Sequence, residues 1–246
     1  MMTDRTGLFS TFKGWSQRCS GRHGMNDFSK RQMLLPGAAV PAQDTEKMLL
    51  ERLQKSTTED DQFRWLLFVV GYYRGIQRVD AAKGLLQKFL HESAKPEYKV
   101  HCHLALGQIA TDEQELETAL NHFGAALALK PTTKKVEYVL LNNTGYCLNM
   151  LGRYGEGEQH CRKALAIDWV RPSAYRNLGV SFHGQGDLLG CAWALVEAAK
   201  ADTSDNRASA LLEKLLSSNP NLVVSNPWIM EGLSPSSSSA SETLCV

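Results

Sequence analysis

Asn142-Asn143-Thr144-Gly145-Tyr146 and Arg176-Asn177-Leu178-Gly179-Val180 are two copies of one pattern, with 34 residues between Gly145 and Gly179. The same offset carries Gly152 to Gly186, Ala164 to Ala198 and Asp168 to Asp202. A fixed period of this length marks a chain of stacked supersecondary units. Upstream the offset becomes 38, joining Gly107 to Gly145, Phe123 to Cys161, Ala126 to Ala164 and Leu127 to Leu165. The four extra residues fit Thr132–Lys135, just after Pro131. A further 38 residues back the pattern is fainter, with Trp65, Phe68, Tyr72, Ala81 and Leu85 at matching places and Val69 where glycine is expected.

Each unit reads as two helices. Tyr138–Leu151 is apolar at helical spacing, Gly152-Arg153 breaks it, and Glu156–Ile167 forms the second helix. Pro172 opens the next unit, where a first-turn proline forfeits no hydrogen bond. Gly107, Gly145 and Gly179 fall mid-helix, where glycine costs about 1 kcal/mol against alanine. Close helix–helix approach offsets that cost, with Ala119, Gly157 and Cys191 as small partners on the second helices. Gly184-Gln185-Gly186 reads as a turn between helices.

These residues resemble the tetratricopeptide repeat (TPR) family. Tyr175, Leu178, Gly179 and Phe182 match the first helix of the family pattern, and Ala119, Phe123, Ala126 and Pro131 match the second. The resemblance implies an all-α, superhelical TPR solenoid of about four helix-turn-helix units, with a flanking helix at each end. The units fall at about 62–95, 100–133, 138–171 and 172–205, within a solenoid spanning 44–218. The fourth has Leu195 for the aromatic and no closing proline.

At the ends, Asp44–Ser56 starts with a good cap residue and sets Met48, Leu49 and Leu53 on one face. Asp205–Ser218 carries Ala208, Leu211, Leu212, Leu215 and Leu216, and Asn219-Pro220 stops it. Helices of this kind cover the open ends of a repeat array. Residues 1–43 are expected to be a disordered extension, and 219–246 a mobile, serine-rich tail in which Trp228 either tucks against the last helices or folds into the groove.

Of 246 residues, 27 are Lys or Arg and 26 are Asp or Glu, a net charge of +1. That balance excludes nucleic acid and anionic membrane as main partners, since both need a cationic face. The longest strongly apolar run, Trp65–Val70, is far short of the roughly 20 residues a membrane span needs. Six cysteines without regular spacing do not form a disulfide framework, and a reducing, cytoplasmic setting is expected. The Arg/Ser-rich, acid-poor segment 1–31 leaves a mitochondrial transit peptide as the minor alternative.

No catalytic constellation is legible, and no cofactor is expected. His101-Cys102-His103 and His160-Cys161 contain metal-ligating types, but helical neighbours diverge by about 100° and cannot converge on one ion. Cys161 and Cys191 read as small core residues. What remains is a surface, and the chain is read as a non-enzymatic interaction module. The resemblance implies that a peptide or protein segment lies along the first helices, on Tyr73, Gln108, Asn142, Tyr146, Asn149, Arg176 and His183. Leu66 and Val70 stand where some relatives place the first Lys and Asn of a clamp for chaperone C-termini, so that ligand is not expected. The functional reading is an adaptor or chaperone-like module; the alternative is a self-associating scaffold, a homo-oligomer of the solenoid.

Overall fold

The computed structural model describes residues 42–233. The expected disordered or targeting extension and the serine-rich end lie outside them. Two compact units divide the chain, Met1–Pro131 and Thr132–Val246. No strand occurs among the described residues.

The first unit holds α1 (Ala42–Lys55), α2 (Glu59–Gly75), α3 (Val79–Glu92), α4 (Pro96–Asp112) and α5 (Leu116–Ala128). Thr58 caps α2 by accepting from the Asp61 N–H at 3.2 Å, and Glu59, Asp60 and Asp61 complement the dipole of its first turn. Pro96 occupies the first turn of α4. These polar starts take α2 and α4 a turn further upstream than the apolar pattern alone suggests. The amphipathic α1 lays Met48, Leu49 and Leu53 against the cluster of Leu66, Val69, Val70 and Tyr73 from α2.

The second unit holds α6 (Lys134–Met150), α7 (Tyr154–Ile167), α8 (Pro172–Gln185), α9 (Leu188–Ala201), α10 (Arg207–Ser218), the short α11 (Asn221–Ser225) and a 3-10 turn at Pro227–Gly232. The pairs α2/α3, α4/α5, α6/α7 and α8/α9 are the four repeats.

All four close their first helix in one way. Gln77, Gln114, Gly152 and Gly186 have φ of 62°, 66°, 77° and 85°. The next N–H in each case (Arg78, Glu115, Arg153, Asp187) reaches back to Tyr73, Ala110, Leu148 or Phe182 C=O at 2.8–2.9 Å. This is the Schellman ending, in which a left-handed residue satisfies the last carbonyls of a helix.

The turns correct the register of the first repeat. Gln77 lies 37 residues before Gln114, and the buried Ala82, Leu86 and Phe89 lie 37 before the buried Ala119, Phe123 and Ala126. Val70, not Val69, therefore holds the glycine position, and Tyr73 matches Ala110, Leu148 and Phe182 in the core.

At the glycine positions the helices touch. A side chain on Gly107 would overlap the Phe123 ring, and one on Gly145 would lie 2.7 Å from Cys161 Sγ and 3.1 Å from the Gly157 carbonyl. At Gly179 it would lie 3.3 Å from the Leu195 tip. Gly184 departs from the turn assignment, because it sits inside α8 and a Cβ there would run into the Tyr154 ring. Only Gly186 provides the left-handed turn.

Beyond α10 the chain packs on rather than departing. Ile229 is fully buried, and Gly232 is so close to Leu212 and Val196 that a Cβ would lie 2.8 and 2.9 Å from them. Ser209 Oγ donates to the Gly232 carbonyl at 2.9 Å, and Lys200 pairs with Glu231 at 2.7 Å. This segment covers α9 and α10, with Ile229 rather than the half-buried Trp228 as its anchor.

Candidate interaction surface

In the corrected register, equivalent first-helix face positions are Leu67, Gly71 and Arg74 in the first repeat and Leu104, Gln108 and Thr111 in the second. They are Asn142, Tyr146 and Asn149 in the third, and Arg176, Val180 and His183 in the fourth.

Tyr73 therefore leaves the candidate face. It is 5% exposed, and its hydroxyl donates to Glu46 Oε1 at 2.9 Å. Glu46 also accepts from Arg78 at 2.6 Å, and the Arg78 guanidinium lies 4.9 Å above the Tyr73 ring. Burial and the Glu46 contact both raise the phenol pKa. Tyr73 fastens α1 to α2. Leu66 and Val70 are likewise core residues, and the clamp positions fall on Leu67 and Gly71, which again supply neither Lys nor Asn. Gln108 stays half-buried on α4.

In the second unit, two of the expected surface residues turn inward. Asn149 is 4% exposed; its Nδ2 donates to the Asn177 carbonyl at 2.8 Å and its Oδ1 accepts from Ser181 Oγ at 2.8 Å. Asn177 Nδ2 in turn donates to Asn142 Oδ1 at 3.0 Å. These bonds hold α6 and α8 in one register, because a buried amide left unbonded would cost on the order of 1–3 kcal/mol. Arg176 pairs with Asp205 at 2.9 Å, the two side chains being only 9% and 10% exposed. Burial works to raise the Asp205 carboxyl, but hydrogen bonds from Arg207 and the Arg176 charge overcome it and leave the pKa below the usual carboxylate value. Asn149 and Arg176 are thus framework groups.

Asn142, Tyr146, Val180 and His183 are half-buried, and the Tyr146 hydroxyl itself lies below the surface. Burial lowers the His183 pKa, so the imidazole is neutral at neutral pH. Sequence reasoning overlooked Asn177 and Ser181, although Asn143 and Asn177 stand at the repeat offset. It also overlooked Trp193, 40% exposed on α9 with Tyr175 edge-on at 6.0 Å. Trp169 and Val170, in the α7–α8 connection, are 70% and 54% exposed. Among the described residues no group of three or more His, Cys, Asp or Glu could hold a metal ion, and no helix is long and apolar enough to cross a membrane.

Comparison with known proteins places this geometry in a class. No protein-family model matches the chain. An uncharacterised TPR repeat-containing protein of Arabidopsis thaliana is 31% identical over 118 residues, covering 45% of this chain and 14% of that protein. The chain thus spans a small part of the relative's length. The MamA RS-1 ArsTM double mutant superposes with a TM-score of 0.57 at 14% identity, over 70% of this chain and 93% of that one. A thermophilic TPR protein of Thermus thermophilus gives 0.51 at 14% identity, over 82% and 99%. The fold is that of the TPR proteins, an all-α array of helix-turn-helix repeats with flanking helices.

Proposed function

We propose that the chain is a non-enzymatic protein-interaction module, an adaptor or chaperone-like protein that receives a segment of a partner on the first-helix face of its repeats. The observation that carries this reading is the framework under Tyr146. The Asn142–Asn177 and Asn149–Ser181 bonds hold α6 and α8 side by side, so the half-buried Tyr146, Val180 and His183 sit on a support set before any partner arrives. Preorganisation of this kind reduces the ordering cost of binding, and tyrosine is a frequent anchor at interfaces. Partly exposed amides and a neutral imidazole suit a polypeptide backbone and uncharged side chains.

Affinity capture with the whole chain tests it. Partners retained by wild type should be lost from Tyr146→Ala and His183→Ala at unchanged helix content. Equal retention by both variants would refute the assignment.

A second reading, the self-associating scaffold, is favoured by exposed Trp169, Val170, Leu189 and Trp193. Light scattering across a concentration series separates the two, because only the scaffold gains mass without a partner. A reducing, cytoplasmic setting fits either reading, since Cys102, Cys147, Cys161 and Cys191 are buried free thiols, and burial raises the pKa of Cys102, Cys161 and Cys191 to about 12.

A further inference from the structure

In the second repeat a half-buried histidine stands at a position that the first and third repeats give to buried leucines. His103 on α4 stands where the other repeats have Leu66, Leu141 and Tyr175. Its Nδ1 faces His122 Nδ1 on α5 at 3.1 Å, with ring centroids 5.4 Å apart and planes inclined by 43°. The centroid separation exceeds the nitrogen separation by about two ring radii, so the two nitrogens point along one line. That is the geometry of an N–H···N hydrogen bond. The pair lies one helical turn from the Gly107–Phe123 contact that joins the same two helices.

We infer that His103 and His122 form a two-step, proton-sensitive latch between α4 and α5, which keeps its bond through the first protonation and loses it at the second. With both rings neutral, one Nδ1 carries the bonding proton and the other accepts it. A first added proton goes to the free Nε2 of the donating ring, giving an imidazolium that still donates and bonds more strongly. A second proton must occupy the accepting Nδ1. It abolishes the bond and sets two cations against each other across the helix interface.

The surroundings oppose that second charge. Burial, then His122 and Lys99 one turn earlier on α4, lower the His103 pKa, and burial lowers that of His122. Among the described residues, α3, which also packs on α4, sets no carboxylate against either ring that would favour the doubly charged pair. Because the folded pair takes up its second proton less readily than an unfolded histidine does, the stability it contributes is present above about pH 6.5 and is lost as pH falls through that second step. The consequence is a repeat that loosens on mild acidification while its neighbours, with Leu141 and Tyr175 at this position, do not.

Imidazole nitrogen NMR of the whole chain between pH 8 and 4.5 tests the latch. The two rings should titrate as a coupled pair in two steps separated by at least tenfold in proton affinity. One ring should show a protonated Nδ1 and the other a protonated Nε2 at high pH. In His122→Gln, His103 should titrate in one step, at least tenfold more readily than the pair's second step. Coincident single-step titrations in wild type, or a His103 titration unchanged in His122→Gln, would overturn the inference. Should His122→Gln fail to fold, the wild-type spectrum and His103→Gln, read on His122, decide it. Denaturant unfolding is a second readout. Between pH 7.5 and 5 the wild-type unfolding constant should rise at least tenfold more than that of the doubly substituted His103→Gln/His122→Gln chain, and an equal rise would also overturn it.

Discussion

Arg176 Nη1 donates to Asp205 Oδ2 at 2.9 Å across the junction between the fourth repeat and the α10 connection, with nine-tenths of both side chains covered. Arg207 grips the same carboxylate through Nε at 2.6 and 2.7 Å. One acid thus serves two guanidinium groups, and removing it takes a buried carboxylate away from the buried Arg176.

Asp205→Asn is therefore expected to cost roughly 3 kcal/mol at neutral pH, measured by denaturant unfolding. Asp205 has a depressed pKa in the folded state. Its contribution is present above the unfolded value near 3.9 and is lost as pH falls through the lower folded value. The gap between wild type and Asp205→Asn should accordingly narrow below about pH 4. A pH-independent gap would mean that the carboxylate charge is not what stabilises the junction.

Gly184→Ala should lower the melting temperature more than Gly179→Ala. A methyl at Gly184 meets the Tyr154 ring, whereas at Gly179 it comes no nearer than 3.3 Å to the Leu195 side chain. Overpacking of this kind costs about 1–3 kcal/mol, and Gly179→Leu should also fall in or above that range. Tyr154→Ala combined with Gly184→Ala should show strong non-additivity in a double-mutant cycle, because the clash disappears with the ring.

Gln114→Gly is expected to be neutral or stabilising by up to about 1 kcal/mol, since its φ of 66° strains a side-chain-bearing residue and suits glycine. Gly152→Ala, at φ 77°, should go the other way by about 1 kcal/mol. Matching thermal melts of the two variants would argue against the shared turn.

Ile229→Ala should destabilise the second unit by about 2–4 kcal/mol, because the side chain is wholly buried. Partner capture by the folded protein should be unaffected if this segment covers α9 and α10 alone. Tighter capture on its removal would instead mean that it competes for the first-helix face.

Much of the fold was legible because close helix contacts demand small side chains, and Gly107, Gly145, Gly179, Ala119, Ala126, Ala164 and Ala198 recur for that reason. The first repeat slipped by one residue because both of its markers are disguised. Val70 replaces the packing glycine and Gln77 the turn glycine, so nothing local distinguishes offsets of 37 and 38. That single residue moved Tyr73 from core to surface. Asn149 and Arg176 sit at first-helix face positions as read, yet their exposure depends on Ser181, Asn177 and Asp205 arriving from other elements. A one-dimensional pattern does not carry that information. Tyr146, His183, Asn142 and Gln108 kept their partial exposure because nothing in their own unit buries them further.

The uniform helix endings set where this chain can change in length. From the packing position to the left-handed residue the spacing is identical in every repeat (Val70 to Gln77, Gly107 to Gln114, Gly145 to Gly152, Gly179 to Gly186), and so is the step onward to Ala82, Ala119, Gly157 and Cys191. The variation in period falls at the joints between repeats, in the connection and the first turn of the next helix: α8 starts 7 residues before Gly179, whereas α2, α4 and α6 start 11 before Val70, Gly107 and Gly145. Insertions and deletions are thus confined to those joints, which behave as splice points where a repeat can be duplicated or excised intact. One residue added beside Gln114 or Gly152 would instead rotate the following helix by about 100° and turn its buried stripe away from its partner.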